Sequence, residues 1–174
     1  MRICTFLFLL IAVIFPGVAR AYQHTTIRLT AANYETLDLD DPYWKFKAGD
    51  SMHWAAKDWN DTGWVRVSPL IRTLKGAREM GFKGIGWFRL HLQTYASFAN
   101  KPFLLSLTTN GAAEIYLDGE KLHSYGKILH SEKSEYVTPY LPVIIVLKDT
   151  GRHVIALRYE NIYYEGLLKS WNGN

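Results

Sequence analysis

The amino-acid sequence predicts an all-β protein, a single β-sandwich or jelly roll of about eight to nine strands. Short runs of residues alternate between apolar and polar side chains, which is typical of half-buried strands. Turn signals such as Asn110-Gly111 and Asp118-Gly119 recur between these runs. No stretch shows the sustained periodicity of a long helix. A chain of 174 residues is long enough to fill the core of one such sandwich.

Residues 84–93 form the strand around which we expect the sandwich to be organised. Successive side chains of a strand point to opposite faces, so Phe88 and Leu90 share one face and Trp87 and Arg89 the other. The first face is apolar and predicts the core. On the second face, Arg89 needs a charged partner if it is buried, because an isolated charge is costly in a dry interior.

The other predicted strands follow in order, each bounded by turn residues. Before the central strand we expect strands at residues 36–39, 43–47 and 64–67. Residues 22–33 alternate weakly and form either a leading strand or a tether, and residues 70–74 are a candidate helical turn. After the central strand we expect strands at residues 103–108, 113–117, 120–123, 143–147 and 153–159, with a short extended run at residues 135–137.

The first 21 residues have the features of a secretory signal. Arg2 precedes an apolar run over residues 6–15, and Ala19-Arg20-Ala21 supplies small residues for cleavage. That run is about half the roughly 20 residues that a membrane helix needs. We therefore expect export across the inner membrane to the periplasm or the exterior. The predicted boundaries are a signal peptide at 1–21, a leading segment at 22–35, the sandwich at 36–161 and a C-terminal tail at 162–174.

Cysteine and charge content narrow the possible partners. The single cysteine, Cys4, lies in the signal, so we expect no internal disulfide in the mature domain. Loss of two arginines with the signal lowers the formal net charge from +4 to +2. No basic stripe stands out in the sequence, so we expect no nucleic-acid partner. The longest later apolar run, residues 141–147, contains Pro142, so we expect no membrane span in the mature chain.

Several short motifs together resemble the galactose-binding-like jelly roll that begins family-two glycoside hydrolases, the relatives of β-galactosidase and β-mannosidase. The motifs are residues 44–46, 60–64, 86–89, 114–119, 125–126 and 151–158. They occur in the family's order and cover roughly residues 36–160. This resemblance implies a sugar-binding domain, with the catalytic groups of the enzyme in a separate barrel.

Residues 49–55 and 84–89 are most similar to the extracytoplasmic N-terminal domains of bacterial membrane sensors, notably histidine kinases and related phosphatases. This resemblance implies a non-catalytic sensory or ligand-binding domain, normally followed by membrane helices and an output module. Neither follows here, so we expect either missing partner domains or a free periplasmic domain. The sensory domain is the leading hypothesis. The alternatives are a detached sugar-binding domain of a family-two glycoside hydrolase and a purely structural protein-interaction module.

We expect no enzymatic activity and no cofactor. Glycoside hydrolysis needs two carboxylates about 5–10 Å apart, and Glu114 and Asp118 are the candidate pair by spacing. However, a hairpin turn explains the presence of Asp118, and a glutamate such as Glu114 on the outer face of a strand is expected to be solvated. A catalytic (β/α)₈ barrel takes about 250 residues, and no motif for one is present. The histidines show no metal-ligand spacing, although Asp38, Asp40 and Asp41 could offer oxygens to Ca²⁺.

Five residues are candidate contacts for a carbohydrate or another small ligand: Trp54, Trp59, Asp61, Arg89 and Tyr125. Trp54 and Trp59 lie in an irregular segment, where an exposed indole can stack on a sugar ring. Arg89 and Asp61 are also predicted to form a structural ion pair, with Arg89 buried beneath residues 51–67. A direct ligand contact is the alternative role for Arg89.

Overall fold

The structure, a computed structural model, describes residues 26–29, 43–68, 74–107, 111–131, 133–137 and 141–163. These residues form nine strands and very little helix. The strands are β1 (Thr26–Leu29), β2 (Trp44–Ala48), β3 (Val65–Val67), β4 (Ile85–Thr94), β5 (Pro102–Leu105), β6 (Ala112–Leu117), β7 (Glu120–Tyr125), β8 (Val143–Val146) and β9 (Gly151–Glu160). A 3₁₀ helix spans Met52–Ala55, and one α-helix, α1, spans Leu74–Glu79. The all-β prediction is confirmed.

Strand β4 lies at the centre of a seven-stranded sheet ordered β3-β2-β4-β9-β6-β7, with β1 attached to β4. On one side, β9 pairs antiparallel with β4 over its whole length. On the other side, β2 pairs with residues 86–89 and β1 runs parallel to residues 91–94. A strand of the leading segment is thus part of the main sheet.

Strands β5 and β8 form a second, two-stranded sheet, and the inner core lies between the two sheets. Phe88, Leu90 and Leu92 of β4 are buried there, which confirms the predicted apolar face. Leu105 and Ile145 reach the same cluster from the small sheet. Burying one such side chain contributes about 1.5–3 kcal/mol, so this cluster supplies most of the generic driving force for folding.

The β6–β7 hairpin turns at Asp118 and Gly119, as predicted from that dipeptide. Their φ angles are +52° and +97°, and positive φ at both central residues is what a type I′ turn requires. The Asp118 carboxylate accepts the backbone N–H of Val154 at 2.8 Å. The turn is thereby tied to β9 as well as to its own hairpin.

Some predicted elements differ from the structure. Residues 135–137 form only an isolated bridge, between Glu135 and Lys127, because so short an apolar run between polar neighbours cannot sustain a strand. The strand predicted at residues 103–108 ends at Leu105. Helix α1 begins at the end of the predicted helical turn, of which only Leu74 is described.

Several predictions lie outside the described residues. They concern the signal at residues 1–21, the strand at 36–39 with its candidate calcium ligands, and residues 164–174 of the tail.

Candidate functional site

The outer face of the main sheet is covered by residues 49–64, which we call the outer layer. Trp87, Tyr116 and Ala156 point outward from β4, β6 and β9 and form a second buried cluster with Ala55 and Trp64 of this layer. Trp87 is fully buried although it lies opposite the inner core. The middle of strand β4 is therefore buried on both faces. Antiparallel sheets more commonly have one face packed on the core and the other exposed to solvent.

Aromatic rings hold the outer layer on the sheet. Trp54 lies edge-on to Trp64, with ring centroids 5.3 Å apart and an interplanar angle of 74°. Trp87 packs against Tyr116 with centroids 5.4 Å apart. Such pairs contribute about 0.5–1.5 kcal/mol beyond the area that they bury. These ring contacts thus help to hold the outer layer at a fixed distance from the main sheet.

Asp61 is the charged centre of the outer layer. Its Oδ1 accepts a hydrogen bond from Lys45 Nζ at 2.6 Å, and its Oδ2 accepts one from Arg89 Nε at 2.8 Å. His91 Nε2 lies 2.7 Å from the same Oδ2. One carboxylate is therefore shared by three basic side chains from β2 and β4.

Arg89 is the most enclosed member of this cluster, with no exposed surface. Its Nη1 donates to the backbone carbonyls of Trp54 and Ala56, so the guanidinium anchors the main chain of the outer layer. Its carbon Cζ lies 5.9 Å from the Trp64 ring centroid. Its Nη2 is buried without a hydrogen-bond partner among the described residues. The structure thus shows the predicted Asp61–Arg89 pair and adds two carbonyl contacts to it.

Charge pairing decides the ionisation of Asp61. Burial alone raises the pKa of this carboxyl, but hydrogen bonds from His91, Lys45 and Arg89 outweigh burial and hold the pKa well below its ordinary value of 3.8. Asp61 is ionised at neutral pH, so it cannot donate a proton there.

Asp50 forms a second charged cluster at the other end of the outer layer. Arg158 of β9 binds it through two hydrogen bonds, from Nε to Oδ1 at 2.8 Å and from Nη2 to Oδ2 at 2.6 Å. The indole Nε1 of Trp87 donates to Oδ1 at 2.8 Å. The same guanidinium reaches Glu114 Oε2 through Nη1 at 3.0 Å. Arg158 therefore bridges Asp50 of the outer layer and Glu114 of the sheet.

Glu114 has further partners on β6 and β7. Tyr116 donates its hydroxyl to Oε2 at 2.7 Å, and Lys121 Nζ donates to Oε1. Burial raises the pKa of Glu114, but the bonds from Lys121, Tyr116 and Arg158 lower it below the ordinary 4.5. Burial also raises the pKa of Asp50. The hydrogen bonds from Arg158 and Trp87 outweigh burial, so the pKa of Asp50 lies below its ordinary value. Both carboxylates are ionised and occupied.

A loop after β7 joins this second cluster. His130 Nε2 lies 2.9 Å from Arg158 Nη2 and 3.2 Å from Asp50 Oδ2. Its backbone N–H donates to Glu160 Oε2 at 3.0 Å, and its Nδ1 lies 3.2 Å from that oxygen. Glu160 Oε1 is buried without a partner among the described residues. His130 thus links two acidic side chains across the outward face of β9.

The five predicted contacts do not form one site. Trp54, Asp61 and Arg89 meet in the outer layer, where Asp61 and Arg89 are buried and Trp54 is half-buried. Trp59 remains 37% exposed at the surface of this layer. Tyr125 lies in the inner core, where its hydroxyl donates to the carbonyl of Leu141 at 2.5 Å. Tyr125 is therefore separated from the other four by the sheet itself.

Sequence reasoning missed Lys45, Asp50, His91 and Arg158. Lys45 and His91 could have been found from strand alternation, because each lies on the outward face of a predicted strand next to Arg89. The pairing of Asp50 with Arg158 joins residues 108 positions apart in the chain. No short-range pattern signals such a contact.

The candidate glycosidase pair has structural roles. Glu114 is bound by Lys121, Tyr116 and Arg158, as described above. Asp118 accepts the Val154 N–H, and its Oδ2 lies 2.7 Å from Nδ1 of the buried His153. Lys57 Nζ lies 3.1 Å from the same Oδ2. Each carboxylate is therefore occupied by neighbours that hold strands or turns together.

Within the described ranges, no group of three or more His, Cys, Asp or Glu side chains is placed to hold a metal ion. In the same ranges, no helix is long and apolar enough to cross a membrane.

Comparisons with known proteins give similarity at the level of structure. No protein-family model matches the chain, and no curated protein matches it. A solved structure of Bacteroides uniformis β-glucuronidase 2, covalently bound to cyclophellitol-6-carboxylate aziridine, matches with a TM-score of 0.52 at 21% identity. A structure of B. uniformis β-glucuronidase matches with a TM-score of 0.53 at 20% identity. Each match covers 72% of this chain and 14% of the enzyme chain.

At this level of identity the similarity shows the fold alone. The two enzymes are family-two glycoside hydrolases, in agreement with the motifs that resemble the sugar-binding domain of that family. These structures give no support to the resemblance to histidine-kinase ectodomains. The chain spans only about 14% of the length of each enzyme. The chain therefore has an all-β sandwich fold similar to a small part of family-two β-glucuronidases.

Proposed function

We propose that this chain is a non-catalytic carbohydrate-binding β-sandwich, comparable to a detached sugar-binding domain of a family-two glycoside hydrolase. The fold similarity to two β-glucuronidases supports this reading more than the sensory one. The observation that carries the non-catalytic part of the proposal is the state of three carboxylates, Asp50 and Asp61 of the outer layer and Glu114 of β6. All three have lowered pKa values and bound partners.

Glycoside hydrolysis needs a carboxylic acid that is protonated at the working pH, and enzymes raise its pKa to achieve this. On all three carboxyls, hydrogen bonds from neighbouring side chains act in the opposite direction and lower the pKa. These groups are suited to holding a surface rigid and unsuited to general-acid catalysis. The surface can present a side chain to a ligand without changing the ligand.

Trp59 is the side chain that we assign to ligand contact. It is the outer-layer tryptophan with the largest exposure, and its backbone N–H donates to the Ala56 carbonyl at 3.2 Å. The same carbonyl accepts a hydrogen bond from Arg89. The main chain at Trp59 is thereby connected to Arg89 through the Ala56 carbonyl, and this connection holds the backbone that carries the exposed indole in place. Trp54 is less suitable, because Lys47 Nζ already lies 4.8 Å from its ring centroid.

Calorimetric titration with neutral and uronic-acid tetrasaccharides tests the proposal. We expect Trp59→Ala to weaken binding about tenfold or more, a loss of about 1.4 kcal/mol, which is within the range for truncating a tryptophan that anchors a binding surface. Tyr95→Ala removes an exposed ring at the end of β4 and serves as the matched control. Absence of binding to every sugar would contradict the proposal, and so would release of product from an aryl-glucuronide.

Export of the domain remains part of the proposal, supported by the sequence of residues 1–21. If the protein is expressed from its own start codon in a bacterium, the periplasmic fraction should contain a chain that begins at Tyr22. N-terminal mass spectrometry would detect an intact Met1 if the proposal were wrong.

A further inference from the structure

A patch of basic side chains lies on the outward face of the main sheet, next to the outer layer. Lys45 of β2 is directly opposite Arg66 of β3 and Arg89 of β4. Residues that pair directly across strands project to the same face. Lys47 lies two positions further along β2 and shares that face. We call Lys45, Lys47, Arg66 and Arg89 the basic face.

The charge of the basic face is incompletely neutralised. Among the described residues, Asp61 is the carboxylate that forms ion pairs with it, through Lys45 and Arg89. Lys47 and Arg66 are exposed and form no ion pair with a described carboxylate. The basic face thus contains four cationic side chains, and the one carboxylate paired with it, Asp61, contacts two of them. Neighbouring strands lie about 4.8 Å apart, well within the screening length of about 10 Å at 0.1 M salt, so their potentials add.

The accessible cations have a definite arrangement. Diagonal neighbours on adjacent strands, such as Lys47 and Arg66, lie about 7–8 Å apart at Cα. Lys45 neighbours both, directly opposite Arg66 and two positions before Lys47, with 20% of its side chain exposed. Trp59 is two residues before Asp61, which binds Lys45, so the backbone of Trp59 lies close to the basic face, and its indole is exposed. Cations and an exposed ring in the same region match a ligand that carries both a ring face and a negative group.

We infer that the basic face and Trp59 bind an anionic carbohydrate, one that carries uronate or sulfate groups. This inference rests on the proposed function and names its ligand class. The Arg66 guanidinium can bind a carboxylate or sulfate with two parallel hydrogen bonds, and Lys47 adds a point charge. Nucleic-acid binding commonly uses many phosphate contacts. The three accessible cations here favour a short charged sugar over a long polyanion.

The test uses the full mature chain and two probes, a hyaluronan tetrasaccharide, which carries glucuronate, and a panel of neutral tetrasaccharides. We expect the double variant Lys47→Gln/Arg66→Gln to bind the hyaluronan probe about tenfold more weakly or worse, the effect of losing about one charged hydrogen bond. Binding of the neutral sugars should not change. Lys101→Gln/Lys133→Gln removes two exposed lysines elsewhere and should leave both affinities unchanged. Thermal melts would verify that all variants fold.

The outcomes separate this inference from the proposed function. Equal affinity for acidic and neutral sugars, or hyaluronan binding that ignores Lys47 and Arg66, would overturn the inference and leave carbohydrate binding intact. Failure to bind any tetrasaccharide would overturn both. A single-stranded RNA tetranucleotide that binds as tightly as hyaluronan, and loses affinity in the same double variant, would show a general anion site and would also overturn the inference.

Discussion

Both faces of β4 are buried in the middle of the strand, but they are held by different forces. On the inner face, Phe88 and Leu90 pack among aliphatic and aromatic side chains between the sheets. On the outer face, Trp87 and Arg89 lie under the outer layer, which is fixed by ring contacts and paired charges. Hydrophobic packing tolerates many substitutions of similar volume. A buried charge tolerates the loss of its partner poorly.

This difference explains why the outer layer should tolerate fewer substitutions than the inner core. Asp61 and Arg89 are both removed from water, so each depends on the partners that pair with its charge. The inner core supplies general stability, and the outer layer sets the position of the surface that we assign to ligand binding.

Loss of the shared carboxylate should have the largest effect. Asp61→Ala leaves Arg89 buried without an acidic partner and also removes the partner of Lys45 and His91. We expect a loss of about 3–5 kcal/mol in the free energy of unfolding, measured by urea denaturation. Asp58→Ala, at an exposed position in the same layer, should change stability by less than about 0.5 kcal/mol. Similar small effects of both variants would mean that the charge cluster does not support the fold.

A cavity in the inner core should have a comparable or somewhat smaller effect. Leu90→Ala is expected to lower the free energy of unfolding by about 2–5 kcal/mol, because Leu90 is fully buried. Leu122→Ala, on the exposed face of β7, is the matched control. Leu90 differs from Asp61 in the effect of a substitution of similar shape. Leu90→Met should lower the free energy of unfolding by less than about 1.5 kcal/mol. Asp61→Asn keeps the shape but removes the charge, and it should not restore stability. Rescue by asparagine would contradict the role of charge.

The inner core was predictable from the sequence, and the outer layer only in part. Alternation along residues 84–93 places Phe88 and Leu90 together, because period-two patterning depends on local geometry alone. Arg89 could be assigned a carboxylate partner because burying a single charge is unfavourable. The bridge from Asp50 through Arg158 to Glu114 could not be derived, since it depends on strand order across three distant segments. Tyr125 was misplaced beside the other contacts for the same reason.

Two carboxylates of the outer layer and one of β6 should make stability depend on pH. Asp50, Asp61 and Glu114 have lower pKa values in the fold than their ordinary values of 3.8 and 4.5. A depressed pKa contributes stability that is complete above the ordinary value and is lost as the pH falls toward the folded value. The free energy of unfolding should therefore be flat near neutral pH and decrease as the pH falls through about 4.5 and below 3.8. Urea midpoints that do not change over that range would contradict this prediction.

A smaller effect is expected at Gly86 of β4, which lies against Phe46 of β2. A Cβ on Gly86 would lie 2.4 Å from Phe46 Cε2 and 3.1 Å from the Lys47 carbonyl oxygen. Phe46 is itself held by Phe88, with ring centroids 4.9 Å apart. We expect Gly86→Ala to reduce stability by about 1–3 kcal/mol through overpacking. A Cβ on Gly63 would meet no atom within 4 Å. Gly63→Ala should therefore be close to neutral when the stability of both variants is measured by thermal melts.

The coupling between Arg89 and Asp61 tests the account of the outer layer most directly. In a double-mutant cycle, Arg89→Ala and Asp61→Ala should each destabilise the domain, and the double variant should lose much less than the sum. Asp61→Ala should be the more severe single change, because Arg89→Ala leaves Asp61 with Lys45 and His91. The expected coupling energy lies in the upper part of the range of about 0.5–3 kcal/mol for contacting residues. Additive losses below about 1 kcal/mol would show that the pair does not hold the outer layer on the sheet.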